Sequence, residues 1–271
     1  MRRNFSNSSL HVSVSHSGAP LLLLHGFTGS TKTWDAFQNV WSGRRMVAID
    51  LLGHGDSDSP TDVNRYSIDR AVIDILEILD GLEMSSISVL GYSMGGRVAL
   101  RLALAVPGRV NALILESVSP GIIDRRERAA RIAQDNMLAN RIEHDGISAF
   151  VKEWESMPIW ESQSKLTDDE RLLVRNQRLK QSTVGLSNSL RGMGVGMADS
   201  VLDELSELTL PTFLISGKLD AKYCVLAKMM ESRLSNAELA IVPDAGHAVH
   251  LEKPDEFGHL VAKFLNSMQI S

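Results

Sequence analysis

A short turn between a strand and a helix constrains this chain more than any other feature of its sequence. Residues 91–95 read Gly-Tyr-Ser-Met-Gly and match the pattern Gly-x-Ser-x-Gly. The apolar run 87–90 predicts a buried strand before the turn, and residues 94–105 carry apolar side chains at helical spacing. The two glycines permit a strained turn that presents the serine hydroxyl above the edge of a sheet. We therefore predict that Ser93 is a nucleophile rather than an ordinary turn residue.

Further apolar segments predict an α/β fold with a mostly parallel sheet. Short apolar runs favour strands that are buried on both faces, and the helical patterns between them indicate helices on both sides of the sheet. The other predicted strands are 10–14, 21–24, 46–50, 110–116, 211–216 and 238–242, and the other predicted helices are 68–82 and 254–268.

The alternation of strands and helices stops between residues 121 and 204. This stretch has helical periodicity and no convincing strand pattern. We therefore predict that residues 1–120 and 205–271 form one core, and that residues 121–204 are inserted into it as a helical cap over the sheet.

Two residues late in the chain are predicted to activate Ser93. A serine hydroxyl is a poor nucleophile until a histidine takes its proton and a carboxylate orients that histidine. Asp220 follows the predicted strand 211–216, and His247 follows the predicted strand 238–242. Both lie just past the carboxyl ends of strands, where such sheets place their ligands. Because the order Ser, Asp, His is the one expected with this type of turn, these three residues are the predicted catalytic triad.

The loop after the second predicted strand is expected to supply half of an oxyanion hole. Its residues 25–29 read His-Gly-Phe-Thr-Gly, and Gly26 allows close approach of the backbone. The amide of Phe27 would join that of Met94 in binding negative charge that develops during the reaction.

Composition limits the partners and cofactors of the chain. A net charge of −5 and a pI near 5.9 argue against a broad surface for nucleic acid or acidic membrane. The single cysteine, Cys224, excludes an internal disulfide, offers no zinc-binding spacing and is expected to be a small core residue. His25 and His54 each precede a glycine in a loop, which favours structural hydrogen bonds over a role as a base. With neither a secretory signal nor a membrane-spanning run in the sequence, we expect a soluble, cytoplasmic protein.

Over nearly its full length the chain resembles the α/β-hydrolase superfamily, from the LHGFTGS segment to the GHAVHLEKP segment. More narrowly, it resembles the family of 2-succinyl-6-hydroxy-2,4-cyclohexadiene-1-carboxylate synthases of menaquinone biosynthesis. Agreement within the predicted cap matters most, because caps differ greatly between families that share this core. The residues that carry the narrower resemblance are 91–97, 116–121, 128–131, Trp154, Arg178 and 189–194.

This resemblance implies a lyase of the α/β-hydrolase fold that needs no metal or organic cofactor. The expected substrate is a small polycarboxylate (SEPHCHC) with a succinyl side chain, a ring carboxylate and an enolpyruvyl group. The triad is expected to remove a proton beside the succinyl ketone, and pyruvate then leaves to give the product SHCHC. The positions that match the family's substrate contacts are Tyr92, Arg97, Arg131, Trp154 and Arg178.

Without the resemblance, the sequence supports a carboxylate-binding role for only one of these arginines, Arg97. It lies four residues after Ser93, one helical turn along and on the same face. A guanidinium binds a carboxylate through two parallel hydrogen bonds, and it would be an odd choice beside an apolar ester. Arg131 and Arg178 belong to runs of arginines one turn apart, a pattern that more often indicates a solvated helix face. Lys222, just after the predicted acid of the triad, is a weaker candidate.

Two other functions stay open at this point. A serine carboxylester or carbon–carbon-bond hydrolase would use the same triad with Ser93 as a covalent nucleophile, and only the arginines favour the lyase. A ligand receptor on the same scaffold would bind without turnover. Serine at position 93 argues against haloalkane dehalogenase and epoxide hydrolase chemistry, in which an aspartate is expected there. The oligomeric state is left open.

Overall fold

The computed structural model describes residues 2–5, 8–15 and 17–268. The described residues form one eight-stranded sheet. Its strands are β1 (Arg2–Phe5), β2 (Ser8–Ser15), β3 (Ala19–Leu24), β4 (Arg44–Ile49), β5 (Ile87–Tyr92), β6 (Val110–Glu116), β7 (Thr212–Gly217) and β8 (Ala237–Val242). The strand order is β1-β2-β4-β3-β5-β6-β7-β8. The six strands from β4 to β8 in this order pair in parallel, whereas β2 pairs antiparallel with β4 and β1 antiparallel with β2. The prediction of a mostly parallel α/β sheet is confirmed.

The helices account for most of the remaining chain. They are α1 (Ile68–Gly81), α2 (Met94–Ala105), α3 (Arg125–Glu155), α4 (Asp168–Leu179), α5 (Thr183–Met193), α6 (Ala221–Glu231), α7 (Val249–Glu252) and α8 (Pro254–Ser267). The patterns at 68–82, 94–105 and 254–268 predicted α1, α2 and α8 to within one residue. The sequence reading did not identify β1, α6 or α7.

Alternate side chains of the central strands pack on opposite faces of the sheet. Leu22 and Leu24 of β3 join a cluster with residues of α1 and α2, whereas Leu21 and Leu23 join a second cluster with Phe257 of α8. All four leucines are fully buried. This explains the unbroken apolar run in β3, because a strand covered on both faces needs apolar side chains at every position.

The segment between β6 and β7 contains α3, α4 and α5, with 3-10 helices at Pro158–Lys165 and Asp203–Glu207, and no strand is described within it. Gly146, at φ 79°, interrupts the helical geometry within α3. Residues of α3 and α5, among them Ala139, Ile142, Phe150 and Leu186, form a third apolar cluster. The segment therefore has a small core of its own, while the boundaries 121 and 204 stay a prediction.

Among the described residues, no helix combines the length and the apolar character needed to cross a membrane.

The turn after β5 is tightly packed at Gly95. A Cβ at this position would lie 2.3 Å from the carbonyl oxygen of Leu24 and 2.5 Å from that of His25. Because backbone atoms of a central strand cannot move aside cheaply, Gly95→Ala should lower the free energy of unfolding by roughly 1–3 kcal/mol. Urea titration measures this loss. Gly108→Ala is the matched control, since a Cβ there meets no atom within 4 Å, and equal stability of the two variants would contradict the prediction.

Candidate active site

The turn between β5 and α2 holds Ser93 in a strained conformation. Ser93 has φ 50° and ψ −106°. Residues other than glycine rarely adopt a positive φ. The amide of Ser93 donates a hydrogen bond to the carbonyl oxygen of Glu116 in β6 (2.8 Å). Gly26 makes room for the turn, because a Cβ there would lie 2.6 Å from the Tyr92 ring. Strain of this kind, held by surrounding structure, is typical of functional sites.

The structure brings the three predicted triad residues together. The Nε2 atom of His247 lies 3.1 Å from Ser93 Oγ, and its Nδ1 atom lies 2.7 Å from Asp220 Oδ2. Asp220 precedes α6 just after β7, and His247 lies in the loop after β8. The His247 and Asp220 side chains are buried, at 4% and 10% exposure. With Nδ1–H donating to the carboxylate, Nε2 is free to accept the Ser93 proton, which is the arrangement that general-base activation of a serine requires.

Phe27 and Met94, the predicted oxyanion donors, both line the cavity that contains Ser93. Thr28, the residue after Phe27, has φ 68°, so the loop turns sharply at this point. Among the loop hydrogen bonds of the described residues, none is donated by the amide of Phe27 or of Met94. These loop hydrogen bonds therefore leave both amides without an acceptor. That the two amides point at one position near Ser93 Oγ stays a prediction.

A cavity of about 1150 Å³ lies over Ser93. Its walls come from the loops at the carboxyl ends of the strands and from the helical segment between β6 and β7. On the core side it is lined by Tyr92, Arg97, Asp220, Lys222, Tyr223 and His247, and on the helical side by Arg131, Asp135, Trp154, Trp160, Leu190 and Met193, among others. The volume is ample for a small molecule with several polar groups.

Arg97 is one of the residues that line this cavity. Its Nη2 atom donates to the carbonyl oxygen of Met193 (2.6 Å). Its Nη1 atom is enclosed and has no hydrogen-bond partner within the described part of the chain. Burial lowers the pKa of Arg97 to about 10, so the group stays charged at neutral pH. An enclosed cationic donor without a partner is costly, and the positive charge of Arg97 beside the cavity favours an anionic ligand.

Arg131 also lines the cavity, and it is held from one side by an acid. Its Nε atom donates to Asp135 Oδ1 at 2.8 Å. The Asp135 carboxyl is buried, and burial raises its pKa, opposed by the charge of Arg131. Because the contact uses Nε, the two terminal nitrogens of Arg131 stay available to a ligand.

Arg178 is paired within the helical segment, and its predicted contact with the substrate stays a prediction. Arg178 is 7% exposed and is not among the described residues that line the cavity. Its guanidinium lies 5.3 Å from the centroid of the Trp160 ring. It donates to Glu155 Oε1 (3.3 Å) and to Gln163 Oε1 (3.5 Å). These contacts satisfy its charge within the helical segment, so Arg178 supports the wall of the cavity through Trp160.

Tyr92 and Trp154, two of the predicted substrate contacts, both line the cavity. Burial, together with the nearby Glu116 carboxylate, raises the pKa of Tyr92 well above its usual range. The hydroxyl is therefore protonated at neutral pH and able to donate a hydrogen bond. Trp154 packs edge to face against Phe27, with ring centroids 5.4 Å apart, which joins the helical segment to the predicted oxyanion loop.

Several lining residues were not identified from the sequence. Trp160 and Tyr223 both contact the His247 ring, and Asp135 orients Arg131. Tyr223 lies three residues after Asp220, so its proximity to the triad follows from the start of α6. Trp160 had no comparable signal, because it comes from a 3-10 helix whose position depends on tertiary packing. Lys222, the weaker candidate, lines the cavity.

His25 and His54 make structural contacts, as the sequence favoured. His25 Nδ1 donates to the carbonyl oxygen of Gly26 (2.8 Å), and its Nε2 accepts the amide hydrogen of Leu51 (3.0 Å). His54 is also buried, and its Nδ1 lies 3.3 Å from the carbonyl oxygen of Leu52. Neither ring bonds to a triad residue in these contacts.

The buried imidazole of His54 should make stability depend on pH. Burial and the neighbouring His25 lower the pKa of His54 from 6.5 to about 3. As the pH falls below about 6.5, His54 becomes protonated in the unfolded chain but stays neutral in the folded protein. The free energy of unfolding therefore decreases between pH 6.5 and pH 3. Between pH 7 and pH 5 this amounts to about 2 kcal/mol. Urea titrations at the two pH values check this, and His54→Asn with the same pH dependence as the parent would contradict it.

One group of side chains has the composition of a metal site. Ligand atoms of His11, Asp50 and Asp56 lie within 4.8 Å of one another. The Asp50 carboxylate, however, already accepts the amide hydrogens of Thr31 and Asp56 (2.5 and 2.8 Å). These bonds account for its burial, because Asp50 orders the loops after β3 and β4.

The sequence and the structure of this chain are similar to those of known proteins. Residues 21–259 match the model of the alpha/beta hydrolase family. A Bacillus subtilis (strain 168) protein named as a 2-succinyl-6-hydroxy-2,4-cyclohexadiene-1-carboxylate synthase is 42% identical over 248 residues, 92% of this chain and 90% of the relative. An Escherichia coli O1:K1 protein of the same name is 27% identical over 90% of this chain and 94% of its own. The structure of MenH from S. aureus superposes with a TM-score of 0.92 at 32% identity, covering 96% of this chain and 99% of the other.

Proposed function

This chain belongs to the alpha/beta hydrolase family and, within it, to the 2-succinyl-6-hydroxy-2,4-cyclohexadiene-1-carboxylate synthases, and from that premise we propose how its residues perform this lyase reaction of menaquinone biosynthesis. The substrate is the enolpyruvyl cyclohexene carboxylate precursor SEPHCHC, and the products are SHCHC and pyruvate. Ser93, Asp220 and His247 remove the proton, and arginines hold the carboxylates.

The observation that carries this proposal is the pairing of a triad with Arg97 in one cavity. Ser93 and Arg97 are the residue before α2 and the fourth residue within it, so their spacing is fixed by one helical turn. The enclosed Nη1 of Arg97 lacks a partner among the described residues. A carboxylate bound in this cavity would lie against the positive charge of Arg97 and near Ser93 Oγ. A neutral ester offers no negative charge for this guanidinium to bind.

The first step is proton removal beside the succinyl ketone. We propose that the substrate proton passes to Ser93 Oγ while the serine proton passes to His247 Nε2, 3.1 Å away. Asp220, bonded to Nδ1 at 2.7 Å, stabilises the imidazolium that forms. The ketone becomes an enolate, whose oxygen would be bound by the amides of Phe27 and Met94.

The second step breaks the bond between the ring carbon and the enolpyruvyl oxygen. Electrons of the enolate form the second ring double bond, which gives the diene. The leaving group takes a proton from His247 and becomes pyruvate, so the triad returns to its starting state. No water is consumed and no acyl group is transferred, which distinguishes this use of the triad from ester hydrolysis.

We assign carboxylate binding to Arg97 and Arg131, the two predicted arginines that line the cavity. Tyr92 would donate a hydrogen bond to a polar group of the substrate, and Trp154 would provide an apolar wall. Arg178 is given a supporting role behind Trp160, for the contacts described above. A substrate with three carboxylates suits this distribution of positive charge.

We further propose that residues 121–204 act as a cap over the triad. The 3-10 helix Pro158–Lys165 supports this, because a Cβ at Gly246 would lie 2.1 Å from Ser162 Oγ. Gly246 directly precedes His247, so the helical segment packs on the loop that carries the base. A cap of this kind excludes water from the enolate.

The proposed activity is tested by incubating the purified protein with SEPHCHC and measuring pyruvate with a coupled dehydrogenase assay. We expect pyruvate to form at a rate proportional to enzyme concentration. An analogue without the enolpyruvyl group should bind but release nothing. Hydrolysis of simple esters without any pyruvate release from SEPHCHC would support the hydrolase alternative instead.

A further inference from the structure

Three aromatic rings enclose the imidazole of His247. The centroid of the Tyr223 ring lies 4.5 Å from that of His247 at an interplanar angle of 64°. Trp160 and Tyr92 lie farther away, each with its ring centroid 5.6 Å from His247. Among the described residues, the imidazole of His247 has side-chain hydrogen-bond partners at Nδ1 and Nε2 only. Both atoms lie on the edge of the imidazole, so the surrounding rings limit how far it can tilt.

Tyr223 differs from the other two aromatic residues because it contacts both of the other triad residues, Asp220 and His247. Its amide donates to Asp220 Oδ1 at 3.2 Å, while Asp220 Oδ2 accepts from His247 at 2.7 Å. Its side chain packs edge to face on the imidazole. One residue at the start of α6 therefore fixes the rotation of the carboxylate through its backbone and the tilt of the imidazole through its ring.

We propose that Tyr223 is a positioning residue, whose ring keeps His247 Nε2 aimed at Ser93 Oγ. Tilting the imidazole would lengthen both hydrogen bonds of the triad, and the aromatic contact opposes that tilt. Edge-to-face aromatic pairs are favoured beyond the effect of buried area. The effect on turnover rests on the proposed lyase function, whereas the positioning of His247 does not.

The phenol hydroxyl is not the part of Tyr223 that this proposal uses. Neither of the contacts described above, the backbone bond to Asp220 and the ring contact with His247, involves it. Tyr223→Phe keeps the ring and the backbone bond, whereas Tyr223→Leu keeps only the backbone bond. Comparing the two variants therefore separates the ring from the hydroxyl. Tyr223→Met provides a second ring-free variant with a flexible side chain that fills the space.

The first measurement is independent of substrate. The Nδ1–H proton of His247 bonds to a carboxylate at 2.7 Å and should give a strongly downfield proton NMR signal. We expect this signal in the parent and in Tyr223→Phe, and we expect it to broaden or disappear in Tyr223→Leu and Tyr223→Met. Thermal unfolding shows that the variants are folded.

The second measurement is the rate of pyruvate release. Tyr223→Leu should lower kcat by roughly three- to tenfold, the range that corresponds to one aromatic contact, with a smaller change in KM. Tyr223→Phe should restore most of the lost kcat. The proposal is overturned if the folded leucine variant keeps both the NMR signal and kcat, or if Tyr223→Phe loses as much as Tyr223→Leu. Absence of pyruvate release by the parent would instead defeat the proposed function, while the NMR comparison would still test the positioning of His247.

Discussion

Ser93→Ala should lower the rate of pyruvate release by about a thousandfold or more while the protein stays folded. The hydroxyl is the atom between substrate and His247, and no other described side chain bonds to His247 Nε2. His247→Ala and Asp220→Asn should also lower kcat by orders of magnitude, the first by removing the proton acceptor and the second by losing the carboxylate that orients it. Steady-state pyruvate assays measure each effect.

The three substitutions should not be additive. Because the residues act as one unit, the double variant of Ser93→Ala and His247→Ala should lose little more activity than either single variant. Urea titration of each variant controls for unfolding. A folded Ser93→Ala protein with nearly full activity would remove the triad from the mechanism.

Arg97→Ala should cause the second largest loss, in kcat/KM for the carboxylated substrate. Removing one partner of a buried charged pair costs roughly 2–5 kcal/mol, or about 30- to several thousand-fold. Activated esters without a carboxylate, if they are hydrolysed at all, should react at similar rates with the parent and the variant. The comparison of the two substrates measures how much of the loss depends on the carboxylate.

Arg101→Ala is the matched control for this substitution. Arg101 lies one turn farther along α2, and its exposed side chain pairs with Asp69 and Glu204. Its removal should change kcat/KM little, because exposed ion pairs contribute at most about 1 kcal/mol. If Arg97→Ala and Arg101→Ala had the same small effect, Arg97 would not bind the substrate.

The triad could be predicted from sequence because its geometry is set by local features. The turn at Ser93 needs glycines and a strand before it, and Asp220 and His247 each follow a strand directly. In a parallel sheet these strand ends meet at one edge, so chain order alone brings the three residues together. The same reasoning explains why α2 begins and β6 ends as predicted.

The helical segment was less predictable because tertiary contacts decide which of its side chains face the cavity. Arginines one turn apart on a helix give no indication of which of them turns inward. Arg131 faces the cavity and is held by Asp135, whereas Arg178 is drawn to Glu155, Gln163 and Trp160. Trp160 itself lies in a short 3-10 helix. Its contact with His247 depends on how this segment packs on the core.

We propose that this triad transfers a proton in an elimination and does not carry an acyl group. The most direct test mixes the protein with SEPHCHC, quenches the reaction at intervals, and measures pyruvate, SHCHC and the intact mass of the protein in the same samples. We expect equal molar amounts of pyruvate and SHCHC at every time, with Ser93 unmodified throughout. A covalent acyl adduct on Ser93 that forms and decays at the rate of turnover would contradict the proton-transfer mechanism.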